Sequence, residues 1–392
     1  MSKKTLLAFF FITLLFLLVA IQFSELIDYK NSDFFQFWLG SRFLLEGKDP
    51  TNSLLWEAAH ADFGTERIAA PVFLYPLPLA ILLAPLSILP LKTAFIIWNF
   101  LSATLLLLSI VALLKSGNYA KTKHLLLPIL LANILYRPTT TTFLGGQLST
   151  LFLFFATLAA FLWHREQWFW GGAVLALLAL KPSLGFPILT LSILWLIARK
   201  YFSALAGIAS SGIFLLLISL LIDPNWVSKY LHILTTKLDN EFGTSPTLWG
   251  FSSIACGFNH HCIAWLGGIS LVLFLALNIW LLHKWQFASP IPALGHLVSI
   301  SLLITLYLWP YDHILLLISA VYLMVFLLEK GVPYLKVSAF FVSISLASIL
   351  IRVAAVDLIR HEYKETLYGL LPLLIWGLST RLLLSGKIPA KQ

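Results

Sequence analysis

The stretch NSDFFQFWLGSRFLLEGKDP (31–50) places Asp33 immediately before Phe34, Phe35, Phe37 and Trp38. A carboxylate held against apolar surface has its pKa raised and can accept a proton near neutral pH. Asp33 is therefore a candidate general base, with the cap of the following helix as the alternative. Arg42, Glu46 and Lys48 read as the solvated face of that helix, and Asp49 as the cap of a turn before Pro50. In GGQLST (145–150), Gln147 opens an apolar run, and an amide at membrane depth must find a partner; it lines a site or joins helices beside small residues. In LALKPSLG (178–185), Lys181 interrupts two short apolar segments. An intramembrane cation marks a site for an anionic partner unless it snorkels to the interface. WPYDHILLL (309–317) carries Asp312 and His313 between two apolar runs. The histidine could bridge to a phosphate or tune a neighbouring acid, and the pair could equally be a capped turn. CGFNHHC (256–262) fits no standard zinc spacing, which leaves a disulfide on an oxidising side or free cysteines.

These residues sit in a chain of 392 that is 59% hydrophobic and 11% charged, with a mean hydropathy of +0.90. Soluble domains carry about 25% charged residues, so the chain is an all-α polytopic membrane protein. The net charge of +9 needs no nucleic-acid partner, because Lys and Arg collect in cytoplasmic loops and no basic arm interleaved with aromatics stands outside the apolar runs. A spanning helix takes about 20 apolar residues. On that ruler about 12 spans (11–13) lie near 5–25, 92–114, 124–137, 146–163, 168–181, 184–198, 202–222, 263–283, 293–310, 313–328, 334–356 and 366–384. The N-terminus has a basic start but no small-x-small cleavage pattern, and reads as an uncleaved first span. Lys3, Lys4, Lys115, Lys121, Lys123, Arg165, Arg199, Lys200, Lys284, Lys330, Arg381, Lys387 and Lys391 then share one side, the cytoplasm, with both termini.

The opposite side receives the first loop (26–91), the long loop (223–262) and all the candidate chemistry. PVFLYPLPLAILLAPLSILP (71–90) is apolar enough to cross, but its five prolines remove donors, so a re-entrant or half-inserted segment is expected. The long loop, with Trp226, Lys229, Lys237, Asp239, Glu241 and TSPTLWGFSS, has the length of a lid or substrate-binding loop. No P-loop, GxSxG or HExxH occurs. With no internal repeat or linker, one membrane domain over 1–392 is the simplest division, placed in the cell membrane.

Taken in order, the acid after the first span with its aromatic helix and LLEGKDP, then YPLPLAILLAPLSILP, GGQLSTLFLF, GGAVLALLALKPSLGFPIL and YDHILLL resemble glycosyltransferase family 87 from about residue 30 to about 320. The resemblance implies a GT-C-fold bundle with an amphipathic helix in the first extracytoplasmic loop. It also implies transfer of a sugar, mannose favoured, from a polyprenyl-phosphate donor to a lipid or glycan acceptor outside the cell. It transfers the general base to Asp33 and donor-phosphate contacts to Lys181 and His313, and gives Gly146 and Gln147 a site-lining role. Asp312 and Asp49 are expected beside them. Arg42 and Lys181 could supply the positive charge at the phosphate, so no metal is required. The family's tyrosine and acid after GxDP are replaced by Thr51 and Asn52, and its asparagine two residues after the glutamine by Ser149. Two other classes fit the composition. A transporter or flippase would use Lys181 and Gln147 as pathway residues, and an assembly subunit would keep the scaffold without catalysis.

Overall fold

The computed structural model describes residues 21–22, 27–65, 70–117, 119–237, 244–284, 289–358 and 365–384. Every regular element among these residues is helical. The expected first span (5–25), together with Lys3, Lys4, Asp239, Glu241, Lys387 and Lys391, lies almost wholly outside them. Helix occurs at each of the other eleven expected spans. Among the described residues, five helices are long and apolar enough to cross a membrane: Leu91–Leu114, Phe202–Ile222, His260–Leu281, Pro310–Glu329 and Tyr334–Ala354. Shorter apolar helices occupy Lys123–Leu135, Ser149–His164, Trp168–Leu180, Pro182–Ala198 and Pro290–Ile304. Phe202–Ile222 exposes Ile213, Phe214, Leu217 and Leu221, and His260–Lys284 exposes Trp265, Ile269, Val272, Leu273 and Trp280. Contiguous apolar surface of this kind is stable against lipid, not water.

The chain gathers into two compact units. One takes the described parts of 1–107, 141–151 and 215–235, and the other those of 108–140, 152–214 and 236–392.

In the first unit, Phe34–Leu45 packs against Leu77–Ser87. The latter helix is 11 residues long, about 16 Å, against a hydrocarbon core of about 30 Å. It starts behind Pro76 and carries Pro85 inside. Side chains of the neighbouring helix satisfy carbonyls at its C-terminal end: Trp38 Nε1 donates to Leu89 O at 3.0 Å and Arg42 to Ser87 O at 3.3 Å. The helix after Asp33 departs from the expected amphipathic, interfacial form. Phe34 through Ser41 are all buried, because Leu77–Ser87, the ring of Phe95 and the Gly145–Gly146 turn enclose it. Only its far end opens, where Arg42 and Lys48 both pair with Glu46 at 2.6 and 2.8 Å, as the expected solvated face. One-sided burial belongs instead to Ser53–Asp62, whose Trp56 and His60, four residues apart, face inward.

The second unit is built round Pro290–Ile304, buried from Pro290 through Leu303. It packs on Pro182–Ala198, Leu317–Glu329 and Leu370–Leu384. Burial on every side is what its all-round apolar sequence dictates, and its serines return their hydroxyls to the helix's own carbonyls, Ser299 to Gly295 and Ser301 to Leu297. Cys256 and Cys262 form a disulfide. It staples the end of Leu248–Cys256, which Gly257 terminates in the left-handed region, to the first turn of His260–Lys284.

Candidate functional site

The candidate residues fall into a carboxylate site in the first unit and a buried ion pair in the second. In the first, helix Arg137–Leu144 ends in a Schellman turn. Gly146 donates to Phe143 O, Gln147 donates to Thr142 O at 2.8 Å, and Gly146 sits at φ +59°. A Cβ on Gly146 would lie 2.6 Å from Phe34 Cβ and 2.9 Å from the Phe95 ring. Gly145 O, in turn, accepts from Phe34 N at 3.1 Å. The glycine pair therefore does two things: it ends one helix and lets the start of Phe34–Leu45 dock against the turn.

That docking brings Gln147 to Asp33. Gln147 is buried, and its Nε2 donates to Asp33 Oδ2. Asp33 occupies the N-cap position of its helix but makes no side-chain capping bond there. Its carboxylate is thus turned toward the amide, away from the role that a capping residue plays. A fixed donor on one oxygen sets the direction in which the other can accept a proton.

Asp49 behaves as the cap expected of it and as more. Oδ1 accepts from Thr51 N and Oγ1 at 2.8 and 2.7 Å, while Oδ2 takes the Lys229 ammonium at 2.7 Å. Lys229 also binds Asp223 at 2.7 Å. Burial alone would raise the Asp49 carboxyl, but the hydrogen bonds from Lys229 and Thr51 overcome it and hold the group below its ordinary range. The two carboxylates hold the Lys229 ammonium above its own ordinary value. The replacements at 51 and 52 have local uses. Thr51 completes the Asp49 turn, and Asn52 caps Ser53–Asp62 by accepting from Leu54 N and Leu55 N. Arg42 is engaged by Glu46 and Ser87 O and sits nine residues beyond Asp33, about 13 Å along the helix.

In the second unit, Lys181 stands at the joint between the tight turn Ala176–Leu180 and helix Pro182–Ala198. Pro182 at the first helical position and Gly185, whose Cβ would fall 1.9 Å from Leu178 O, make that joint sharp. Its ammonium meets Asp312 Oδ1 at 2.6 Å and lies 4.8 Å from the centre of the Tyr311 ring. The side chains are 7% and 0% exposed, so this is a desolvated pair. His313 is fully buried, and neither ring nitrogen has a hydrogen-bond partner among the described residues.

Three groups outside the expected set hold this turn. Tyr136 Oη donates to His313 O at 2.9 Å. Ser245 Oγ donates to Leu308 O and accepts from Leu308 N, 3.1 and 3.0 Å, just ahead of the turn. Thr305 donates to Ser183 O beside Lys181. All bridge at least 60 positions of sequence and carry no periodic signal, so only the fold reveals them. Among the described residues no three His, Cys, Asp or Glu side chains gather as metal ligands. Of the two alternatives for the cysteines, the structure has the disulfide.

A model of glycosyltransferase family 87 matches residues 73–310, well over half of the chain. Gly146, Gln147 and Lys181 fall inside the match, whereas Asp33, Arg42, Asp49, Asp312 and His313 fall outside it. Comparison with curated proteins and with solved structures finds no match. The ordered motifs, the apolar helices and the family match agree, and the chain belongs to glycosyltransferase family 87, a family of membrane glycosyltransferases.

Proposed function

We propose that the chain transfers a hexose, mannose-like by preference, from a polyprenyl-phosphate donor to a lipid or glycan acceptor on the extracytoplasmic face of the cell membrane, with inversion. Asp33 takes the proton of the acceptor hydroxyl as its oxygen bonds to the anomeric carbon. The bond from that carbon to the phosphate oxygen breaks, and the polyprenyl phosphate leaves with the electron pair. A single base suffices for direct displacement, which is why inversion is the expected course. Lys181 and His313 donate hydrogen bonds to the departing phosphate, with Asp312 setting the position of Lys181. In this reading the termini are cytoplasmic, the bundle crosses about twelve times, and a metal is not needed.

The observation that carries the proposal is the orientation of Asp33. A buried amide engages its carboxylate, and the capping role that would explain an aspartate there without chemistry is unused. The test is sugar transfer in membranes supplied with a panel of polyprenyl-phosphate sugars. Asp33→Asn is expected to lower the rate by roughly 10²–10⁴-fold while leaving membrane insertion intact. Full transfer by this variant would remove the base assignment. Absence of transfer by the wild type with every donor would favour an assembly subunit.

A further inference from the structure

Away from these residues, the second unit holds two guanidinium groups on one carboxylate. Glu365 Oε1 lies 3.0 Å from Arg352 and Oε2 lies 3.4 Å from Arg137. The Arg137 guanidinium also covers the Tyr368 ring at 4.7 Å, and its backbone N–H donates to Ser348 Oγ at 3.0 Å. The three charged side chains are 13–32% exposed, neither sealed like Lys181 nor free in solvent. Each carboxylate oxygen faces a different arginine, the arrangement of an oxyanion bridged by two planar forks. The two non-bridging oxygens of a phosphate ester can make the same pair of contacts.

The surroundings say where such a phosphate would come from. Arg352 lies six residues before the end of helix Tyr334–Leu358, and Arg137 two residues past the apolar helix Lys123–Leu135. The two helices pack on each other. Beside Arg352, Leu350 and Val353 are exposed; beside Arg137, Ile134 and Leu135 are exposed. Both guanidiniums therefore lie within about two turns of the end of an apolar helix, from which a long side chain reaches the level of the headgroups.

We infer that Arg137 and Arg352 form a binding site for the phosphate of a membrane lipid, with the Glu365 carboxylate as its built-in competitor. The site is independent of the transfer reading and of Asp33. Its ligand is a lipid phosphate ester, from a polyprenyl monophosphate or from an anionic glycerophospholipid.

The test is titration of the delipidated full-length protein with a polyprenyl monophosphate, phosphatidylglycerol, the parent polyprenol, diacylglycerol and inorganic phosphate, read by native mass spectrometry. Wild type is expected to bind at least one phosphate lipid and to discriminate at least tenfold against both phosphate-free lipids and inorganic phosphate. Arg352→Gln should weaken binding by roughly tenfold, and Arg352→Lys, which keeps the charge, should recover part of it. Glu365→Gln removes the competitor and should tighten binding several-fold, a result that a purely structural ion network does not give. A loss in Arg352→Gln confined to the polyprenyl monophosphate assigns the site to a polyprenyl lipid, and an equal loss for phosphatidylglycerol assigns it to the bulk anionic headgroup. Unchanged affinity in both Arg352→Gln and Glu365→Gln, or equal binding of the phosphate-free lipids, overturns the inference. Asp33→Asn is expected to bind these lipids as wild type does, so failure of the transfer reading and failure of this site are separable.

Discussion

At the scale of single residues, Asp33 and Gln147 are the most informative pair. The sequence requires the glutamine to find a partner, and the fold supplies the carboxylate. Gln147→Leu should therefore cost catalysis more than assembly: in membranes with a working donor, the turnover rate falls roughly tenfold or more with little change in thermal stability. An equal loss of folded protein would reduce Gln147 to packing. Gly146 carries a different expectation. Its φ of +59° and the 2.6 Å approach to Phe34 leave no place for a side chain. Gly146→Ala should destabilise by about 1–3 kcal/mol, visible as a lower Tm in detergent. Lys181 and Asp312 form a desolvated ion pair, for which losing one partner is worse than losing both. Asp312→Ala should lower stability by about 3–5 kcal/mol, and the double variant with Lys181→Met should recover part of that loss. A strictly additive double variant would show that the two charges do not depend on each other.

At the scale of elements, two ties fix the long segment after Phe202–Ile222. The first is the strap from Asp49 through Lys229 to Asp223. Asp49 is held below its ordinary value of 3.8 and Lys229 above its ordinary value of 10.5. A lowered carboxylate gives stability that is present above 3.8 and lost as pH falls through its depressed value. A raised ammonium gives stability that is present below 10.5 and lost as pH rises through its elevated value. The strap is therefore closed across neutral pH, and the Tm gap between wild type and Lys229→Met should narrow as pH falls below 3.8. A gap that stays constant to pH 3 would remove the strap. The second tie is the Cys256–Cys262 disulfide, which closes a loop between residues six apart. Loop-closure entropy gives such a short ring about 2 kcal/mol.

At the scale of the whole molecule, a sidedness test addresses the proposed topology. With the native disulfide intact, single cysteines introduced across 115–123 should label from the cytoplasmic side of sealed vesicles. Labelling from outside alone would invert the proposed orientation of the spans around them. Much of this level is legible in the sequence, because hydropathy is a local property: the helical class, the helices at eleven of the expected spans and the proline-broken helix at 77–87 follow from runs of apolar residues and prolines. The family was legible through the order of short motifs, with the match at 73–310 in agreement. Partnerships were not legible. That Asp33 leaves its cap for Gln147, that Lys181 is neutralised by Asp312, and that Phe34–Leu45 is enclosed where an interfacial helix was expected depend on residues 114 and 131 positions apart or on neighbouring helices. Composition fixes how much of a chain must leave water, whereas packing alone decides which polar group meets which once it has left.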